Sequence, residues 1–179
     1  GASWSDGVEL GDVDDDGDLD AFVANNGQPN KVYINDGNGN FTDSGQPLGS
    51  SASNGVAMGD VDDDGDLDAF VANYYGNANK VYINDGSGTF TDSGQSLGAS
   101  WSLGVELGDV DDDGDLDAFV ANQEWLSSTV IISQPNKVYI NDGSGNFTDS
   151  GQSLGSSISY DVSLSDVDND GDLDAYLVQ

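Results

Sequence analysis

An all-β, propeller-type array of four-stranded antiparallel blades, about three and a half in this chain, is the fold class the sequence predicts. Three observations carry it. A twelve-residue Asp-rich segment at 11–22, G-D-V-D-D-D-G-D-L-D-A-F, recurs at 59–70 and 108–119, with a fourth copy at 165–176. Between copies, N-K-V-Y-I-N-D-G at 30–37 and F-T-D-S-G-Q at 41–46 recur at 79–86 and 90–95, then at 136–143 and 147–152. No stretch of useful length carries a helical period, whereas short runs alternate with period two. Internal repetition on this scale is read before anything else, because each unit is one supersecondary element stacked on its neighbours.

The repeat divides the 179 residues into units 1–50, 51–98 and 99–155 and a partial unit 156–179. Within a unit the first strand is expected over 7–13, with Val8 and Leu10 on one face and Glu9 on the other. The second is expected over 19–24, with Leu19, Ala21 and Val23 alternating against Asp20 and Phe22. The third covers 31–35. The fourth starts at Phe41 and runs to about Leu48. Asn35-Asp36-Gly37-Asn38-Gly39 separates the last two strands with residues that tolerate positive φ, as a tight hairpin demands. Four such strands suit a propeller blade. Fourteen strands are expected in all, and three and a half blades do not close a ring. The open edge would expose unpaired backbone and a half-covered apolar face, so further chain or a neighbouring copy is expected to cover it.

Between the first two strands lies the motif D-x-D-x-D-G-x-x-D. Of the 34 carboxylates, 23 fall in four nine-residue windows of this pattern. The candidate ligands are Asp12, Asp14, Asp16, Asp18 and Asp20 in the first copy and Asp60, Asp62, Asp64, Asp66 and Asp68 in the second. In the third they are Asp109, Asp111, Asp113, Asp115 and Asp117, and in the fourth Asp166, Asp168, Asp170, Asp172 and Asp174. Carboxylates at positions 1, 3 and 5 point inward along a curling backbone, and Gly at position 6 permits the turn. The position 7 residue offers its backbone carbonyl, and Asp at position 9 closes the cage. Position 4 is Asp15, Asp63 and Asp112 but Asn169 in the last copy, as suits a residue outside the cage.

Two carboxylates ~4 Å apart repel by about 4 kcal/mol at an effective dielectric near 20. A loop with four of them must splay, protonate or capture a cation. Calcium takes six to eight oxygen ligands in an irregular cage, whereas magnesium prefers a water-retaining octahedron. Zinc would want His or Cys, and neither occurs. Ca2+ at four sites is therefore the expected cofactor. An EF-hand is excluded: its twelfth loop residue is Glu, and here Val23, Val71, Val120 and Leu177 stand there.

The net charge of -31, with three Lys or Arg in total, repels phosphate backbones, so nucleic acid is excluded as a partner. No apolar run reaches the length of a membrane span, so no membrane insertion is expected. Beginning at Gly1 rather than Met, the chain reads as a processed, tagged or truncated product. No His, Cys or Arg is present, so the usual nucleophile–base pairs and anion clamps cannot be built, and no enzyme is expected.

The loop at 12–20, the following A-F-V-A-N at 21–25 and V-Y-I-N-D-G at 32–37 resemble the FG-GAP-like (VCBS) repeat; integrin alpha-chain propellers carry a similar calcium loop. The resemblance spans essentially the whole chain. It implies propeller blades with calcium held between the first and second strands, by Asp12, Asp14, Asp16, Asp18, Asp20 and their counterparts. Propellers of this kind close with more blades than this chain supplies.

The function expected is an extracellular or cell-surface structural or adhesive module rigidified by calcium, since extracellular calcium modules work at about 10⁻⁴–10⁻³ M. Two alternatives stand beside it. One is a self-assembling filament or surface-layer subunit whose incomplete last blade is completed by a neighbouring copy. The other is a lectin using aromatics opposite the calcium loops, namely Trp4, Tyr74, Tyr75, Trp101 and Trp125. The partner expected is accordingly a further copy, a protein or a glycan. An insertion at 123–134 in the third unit holds Trp125, Leu126, Val130, Ile131 and Ile132, an unusually apolar stretch for this chain, and exposed patches of this kind mark interfaces. Asn40 and Asn146 match the N-glycosylation acceptor pattern but equally suit the turn.

Overall fold

Period-two alternation and turn-forming Asn, Asp and Gly make each repeat an antiparallel meander. A computed structural model describes residues 4–123, 125–127, 130–132, 134–155 and 157–179, and side chains at 124–133 lie outside that description. The first sheet runs β1 (Trp4–Gly11), β2 (Asp20–Asn26), β3 (Lys31–Asn35) and β4 (Phe41–Asp43) in sequence order. The second repeats it with β5 (Ser53–Gly59), β6 (Asp68–Asn73), β7 (Lys80–Asn84) and β8 (Phe90–Asp92). In the third, β9 (Ser102–Gly108) and β10 (Asp117–Asn122) are followed by the hairpin β11 (Trp125–Ser127)–β12 (Val130–Ile132). The blade then resumes with β13 (Lys137–Asn141) and β14 (Phe147–Asp149). The fourth is the half-blade β15 (Asp161–Ser165)–β16 (Asp174–Val178). The described residues contain no helix. The architecture is all-β, an array of propeller-type blades.

Several expected bounds shift. The first strand begins at Trp4 and stops at Gly11, because Asp12 already belongs to the loop. The fourth strand holds only three residues. The Asp43 carboxylate accepts the Gly45 N–H at 2.8 Å and a Lys31 bond at 2.7 Å, and Gly45 at φ 80° turns the chain away. Leu48 rejoins the sheet through a single bridge to Asn30. Among the described residues sixteen strands replace the expected fourteen, the extra pair being the β11–β12 hairpin of the insertion.

Alternation in the second strand does not separate core from solvent. β6 and β10 are buried along their whole length. Blades stack face to face, so alternate residues meet different neighbours. Phe22 sits edge-on to Phe90 with centroids 5.4 Å apart and is tilted on Tyr82 at 6.3 Å. Phe70 repeats this with Phe147 and Tyr139 at 5.3 and 6.3 Å. Edge-on pairs are a favoured aromatic geometry. The innermost strands β1, β5, β9 and β15 lie side by side and line a cleft of about 610 Å3 containing Glu9, Glu106 and Asp161.

Candidate metal centres

Each loop leaves the innermost strand at position 1 and re-enters the sheet at position 9. Position 4 adopts left-handed backbone in every copy, with φ 59°, 61°, 62° and 69° at Asp15, Asp63, Asp112 and Asn169. Asp and Asn are the non-glycine residues that tolerate it best, which explains the single variation at this position. Position 6 lies further out, at φ 94–104° for Gly17, Gly65, Gly114 and Gly171. A Cβ there would touch nothing, so the glycine is required by backbone conformation alone.

The curl brings three of the five expected carboxylates together. Asp12, Asp14 and Asp20 each offer an oxygen within 4.8 Å of the others, as do Asp60, Asp62 and Asp68, Asp109, Asp111 and Asp117, and Asp166, Asp168 and Asp174. Position 1 also organises the loop, for Asp12 accepts the N–H groups of Asp16 and Gly17 at 3.2 and 2.9 Å. Position 5 falls outside the convergent group: Asp16 Oδ1 accepts the Asp18 N–H at 3.0 Å, and Asp64, Asp113 and Asp170 do the same for Asp66, Asp115 and Asp172. At position 7 the Asp18 and Asp66 side chains lie over Gly37 and Gly86 of the β3–β4-type hairpin, and Asp115 lies over Gly143.

Position 9 is the anchor. Asp20 is fully buried; its Oδ2 accepts the Val13 N–H at 3.0 Å and its Oδ1 the Asn35 N–H at 2.8 Å. Asp68 and Asp117 repeat both bonds. Burial pushes Asp68 up to about 6, against the pull of the Asn84 and Val61 amides. Asp174 keeps only the Val167 bond, since the half-blade has no third strand, and it is exposed.

The partner residues at the end of the third strand do more than form the turn the sequence predicts there. Asn84 also sends its Nδ2 across the blade junction to Val13 O, and Asn141 to Val61 O, each at 2.8 Å. The next blade's hairpin thereby covers the preceding loop. A Cβ at Gly88 would lie 3.6 Å from Asp14 Cβ, and one at Gly145 3.5 Å from Asp62 Cβ. The recurrence of N-D-G in every complete unit was the available signal.

That cover isolates two oxygens. Asp14 Oδ1 and Asp62 Oδ1 are buried with no hydrogen-bond donor. Burial first, then neighbouring carboxylates, raises both groups above the usual Asp range. The chain has nothing to spare as a counter-charge. Lys31, Lys80 and Lys137 pair with Asp43, Asp92 and Asp149 at 2.7, 3.4 and 3.1 Å, and no other Lys or Arg exists. A site of convergent hard oxygens, some lacking any donor, fits a cation from solution.

Opposite the loops, Tyr74, Tyr75 and Trp101 form a three-ring cluster with centroids 4.3–5.2 Å apart. Trp101 therefore packs between blades, whereas Trp4 is 80% exposed. The expectation for Trp125 and its neighbours falls on side chains outside the described residues. Asn40 and Asn146 turn their Nδ2 groups onto Asp36 and Asp142, each at 2.9–3.2 Å, stabilising the hairpin.

Stacked four-stranded blades with an Asp triad between first and second strands define a propeller-type repeat protein. The FG-GAP-like repeat matches residues 12–71, 60–120 and 127–177, the first two matches running from one acidic loop to the next and the third ending on the fourth loop and its following strand. The chain belongs to the FG-GAP-like repeat family. No curated protein matches it. No helix among the described residues is long and apolar enough to cross a membrane.

Proposed function

We propose that the chain is an extracellular structural or adhesive propeller-type module, without catalytic activity, rigidified by one Ca2+ in each of its four loops. The observation that carries this reading is the pair of buried, donor-less oxygens on Asp14 and Asp62 within convergent Asp triads. With all three Lys committed to strand-four aspartates, the chain supplies no counter-charge of its own, and an external cation relieves the ionised carboxylates. The position 1, 3 and 9 carboxylates would hold the ion. A small reorientation of position 5 and the position 7 carbonyl would raise the oxygen count toward what calcium prefers over magnesium.

Calorimetric titration of chelator-stripped protein tests it, with thermal melts in parallel. About four calcium ions bound per chain, with a large rise in melting temperature and a weaker response to magnesium, are expected. Identical melts with and without EGTA would sink the proposal.

A second reading, a glycan-binding face, is favoured by one specific feature. Tyr75 is 60% exposed yet held at φ 55°, a costly conformation for a tyrosine, and it packs edge-on to Trp101. Screening a glycan array with wild type and Tyr75→Ala checks it: glycans retained by wild type alone support it, and an empty array removes it.

A further inference from the structure

Each blade junction repeats the same contacts. Gly7 and Gly11 of β1 face the second blade, where a Cβ at Gly7 would lie 2.5 Å from Asn54 O and one at Gly11 2.6 Å from Leu67 Cδ1. Gly55 and Gly59 meet Leu103 O at 2.7 Å and Leu116 Cδ1 at 2.7 Å. Gly104 and Gly108 meet the half-blade as closely: a Cβ at Gly104 would lie 2.7 Å from Asp161 Oδ1 and 2.9 Å from Asp161 Cα, and one at Gly108 2.8 Å from Leu173 Cδ1. In sequence this is G-V-E-L-G, G-V-A-M-G and G-V-E-L-G on the three innermost strands. Backbone-to-backbone approach this close admits no side chain on the trailing side.

The contacts have a direction. Glycines lie on the trailing face of each blade; Leu or Met of the innermost strand and Leu of the loop lie on the leading face of the next. On the first blade the leading-face residues Val8, Leu10, Leu19 and Phe41 are all exposed, although their counterparts Val56 and Phe90 are buried at a junction. The fourth unit breaks the rule at both glycines. Its innermost strand reads D-V-S-L-S, so Asp161 and Ser165 occupy the two positions. A leucine methyl could turn away from Ser165, but Asp161 puts a Cβ where the next blade's backbone would pass.

We propose that the leading face of β1–β4 is a docking surface for another FG-GAP-like blade bearing both glycines, and that Asp161 and Ser165 make β15–β16 refuse one. The leading face of β1–β4 then accepts a blade, and the trailing face of β15–β16 does not. Head-to-tail stacking of identical copies, which would seat the exposed Tyr176 on Tyr33 and Phe41 as Phe22 sits on Tyr82 and Phe90, is then opposed chiefly by Asp161, with Ser165 adding to it. The proposal rests on blade packing and not on the calcium reading.

The test is sedimentation velocity over a range of concentrations, in calcium, on wild type and on the double variant Asp161→Gly/Ser165→Gly. The variant is expected to associate at least tenfold more tightly than wild type, and Leu19→Asp on its leading face is expected to reverse the gain. The chain has no cysteine, so Phe41→Cys and Tyr176→Cys report the contact by disulfide formation between mixed copies. Cross-linking is expected only when the Tyr176→Cys partner also carries the two glycines. Wild-type copies that cross-link as readily, or a folded double variant that stays monomeric, would overturn the proposal. Should the double variant not fold, Gly55→Asp at an internal junction decides the matter. A marked drop in its melting temperature supports the junction rule, and a wild-type melt refutes it.

Discussion

Among the aspartates of a single loop, two do opposite things. Asp68 accepts two buried backbone N–H groups, from Val61 and Asn84, whereas Asp62 buries an oxygen that nothing satisfies. Leaving a buried donor unsatisfied costs about 1–3 kcal/mol. Asp68→Ala is therefore expected to lower stability by roughly 2–5 kcal/mol in chelator, read from urea melts, since two donors are abandoned. Asp62→Asn should do the reverse without metal, raising the melting temperature by removing an unpaired buried charge, while weakening calcium binding. A lower melting temperature in both conditions would show that Asp62 is structural. The pH dependence has a definite sign. Asp68 is raised from 3.8 to about 6 in the fold, so its favourable contribution is full below pH 3.8 and lost as pH rises through about 6. Asp14 and Asp62 are shifted the same way. Exposed turn aspartates such as Asp36, held low by the Asn40 side chain, and Asp43, held low by Lys31, act oppositely but only near and below pH 3.8. Metal-free protein should thus melt at lower temperature at pH 7 than at pH 4.5. Calcium, which needs ionised carboxylates, should invert that order.

The four loops are alike in sequence and unlike in setting, because what covers a loop is the third and fourth strands of the following blade. Gly88 and Gly145 bring that cover to the first and second loops, whose position 3 oxygens are buried. In the third and fourth loops Asp111 and Asp168 are exposed, since no outer strands follow them in the described structure. Calcium release into excess chelator should accordingly show two slow and two fast ions. Gln95→Ala, which removes the bonds to Phe147 N and Gly145 O at 2.8 and 2.6 Å, should speed one of the slow pair. Four equal release rates would refute this ranking. The loops, the third strand and the hairpin turns were legible in the sequence, because Asp spacing and Asn-Asp-Gly chemistry act within a few residues. The enclosure of some loops and not others was not legible, for it depends on Gln46 reaching Gly88 and Asn84 reaching Val13 across 42 and 71 residues. The convergence of positions 1, 3 and 9 without position 5 was likewise hidden, since Asp16 has a backbone N–H two residues on that competes for its oxygen.

At the scale of the molecule, the loops lie along one rim and repel one another as well as themselves. Asp66 is raised by burial, by Asp64 of its own loop and then by Asp15 of the preceding one; Asp115 is raised by burial, Asp113 and Asp63 in the same order. The opposite rim holds Tyr74, Tyr75 and Trp101 locked together. Without metal, repulsion on one rim and cohesion on the other should splay the blades like a fan hinged on the aromatic side. Four divalent ions would offset eight of the 31 net negative charges, all of them on the repelling rim. Exposed charges more than a Debye length apart are screened, and that length falls from about 30 Å at 0.01 M salt to about 3 Å at 1 M. Small-angle scattering of chelated protein should therefore give a larger radius of gyration in 10 mM NaCl than in calcium. In 1 M NaCl the chelated protein should contract part of the way, because salt quiets repulsion between blades but supplies no ligand to oxygens buried within a loop. A radius unchanged across all three conditions would mean that junction packing alone, through Phe22–Phe90 and Phe70–Phe147, sets the spacing of the blades.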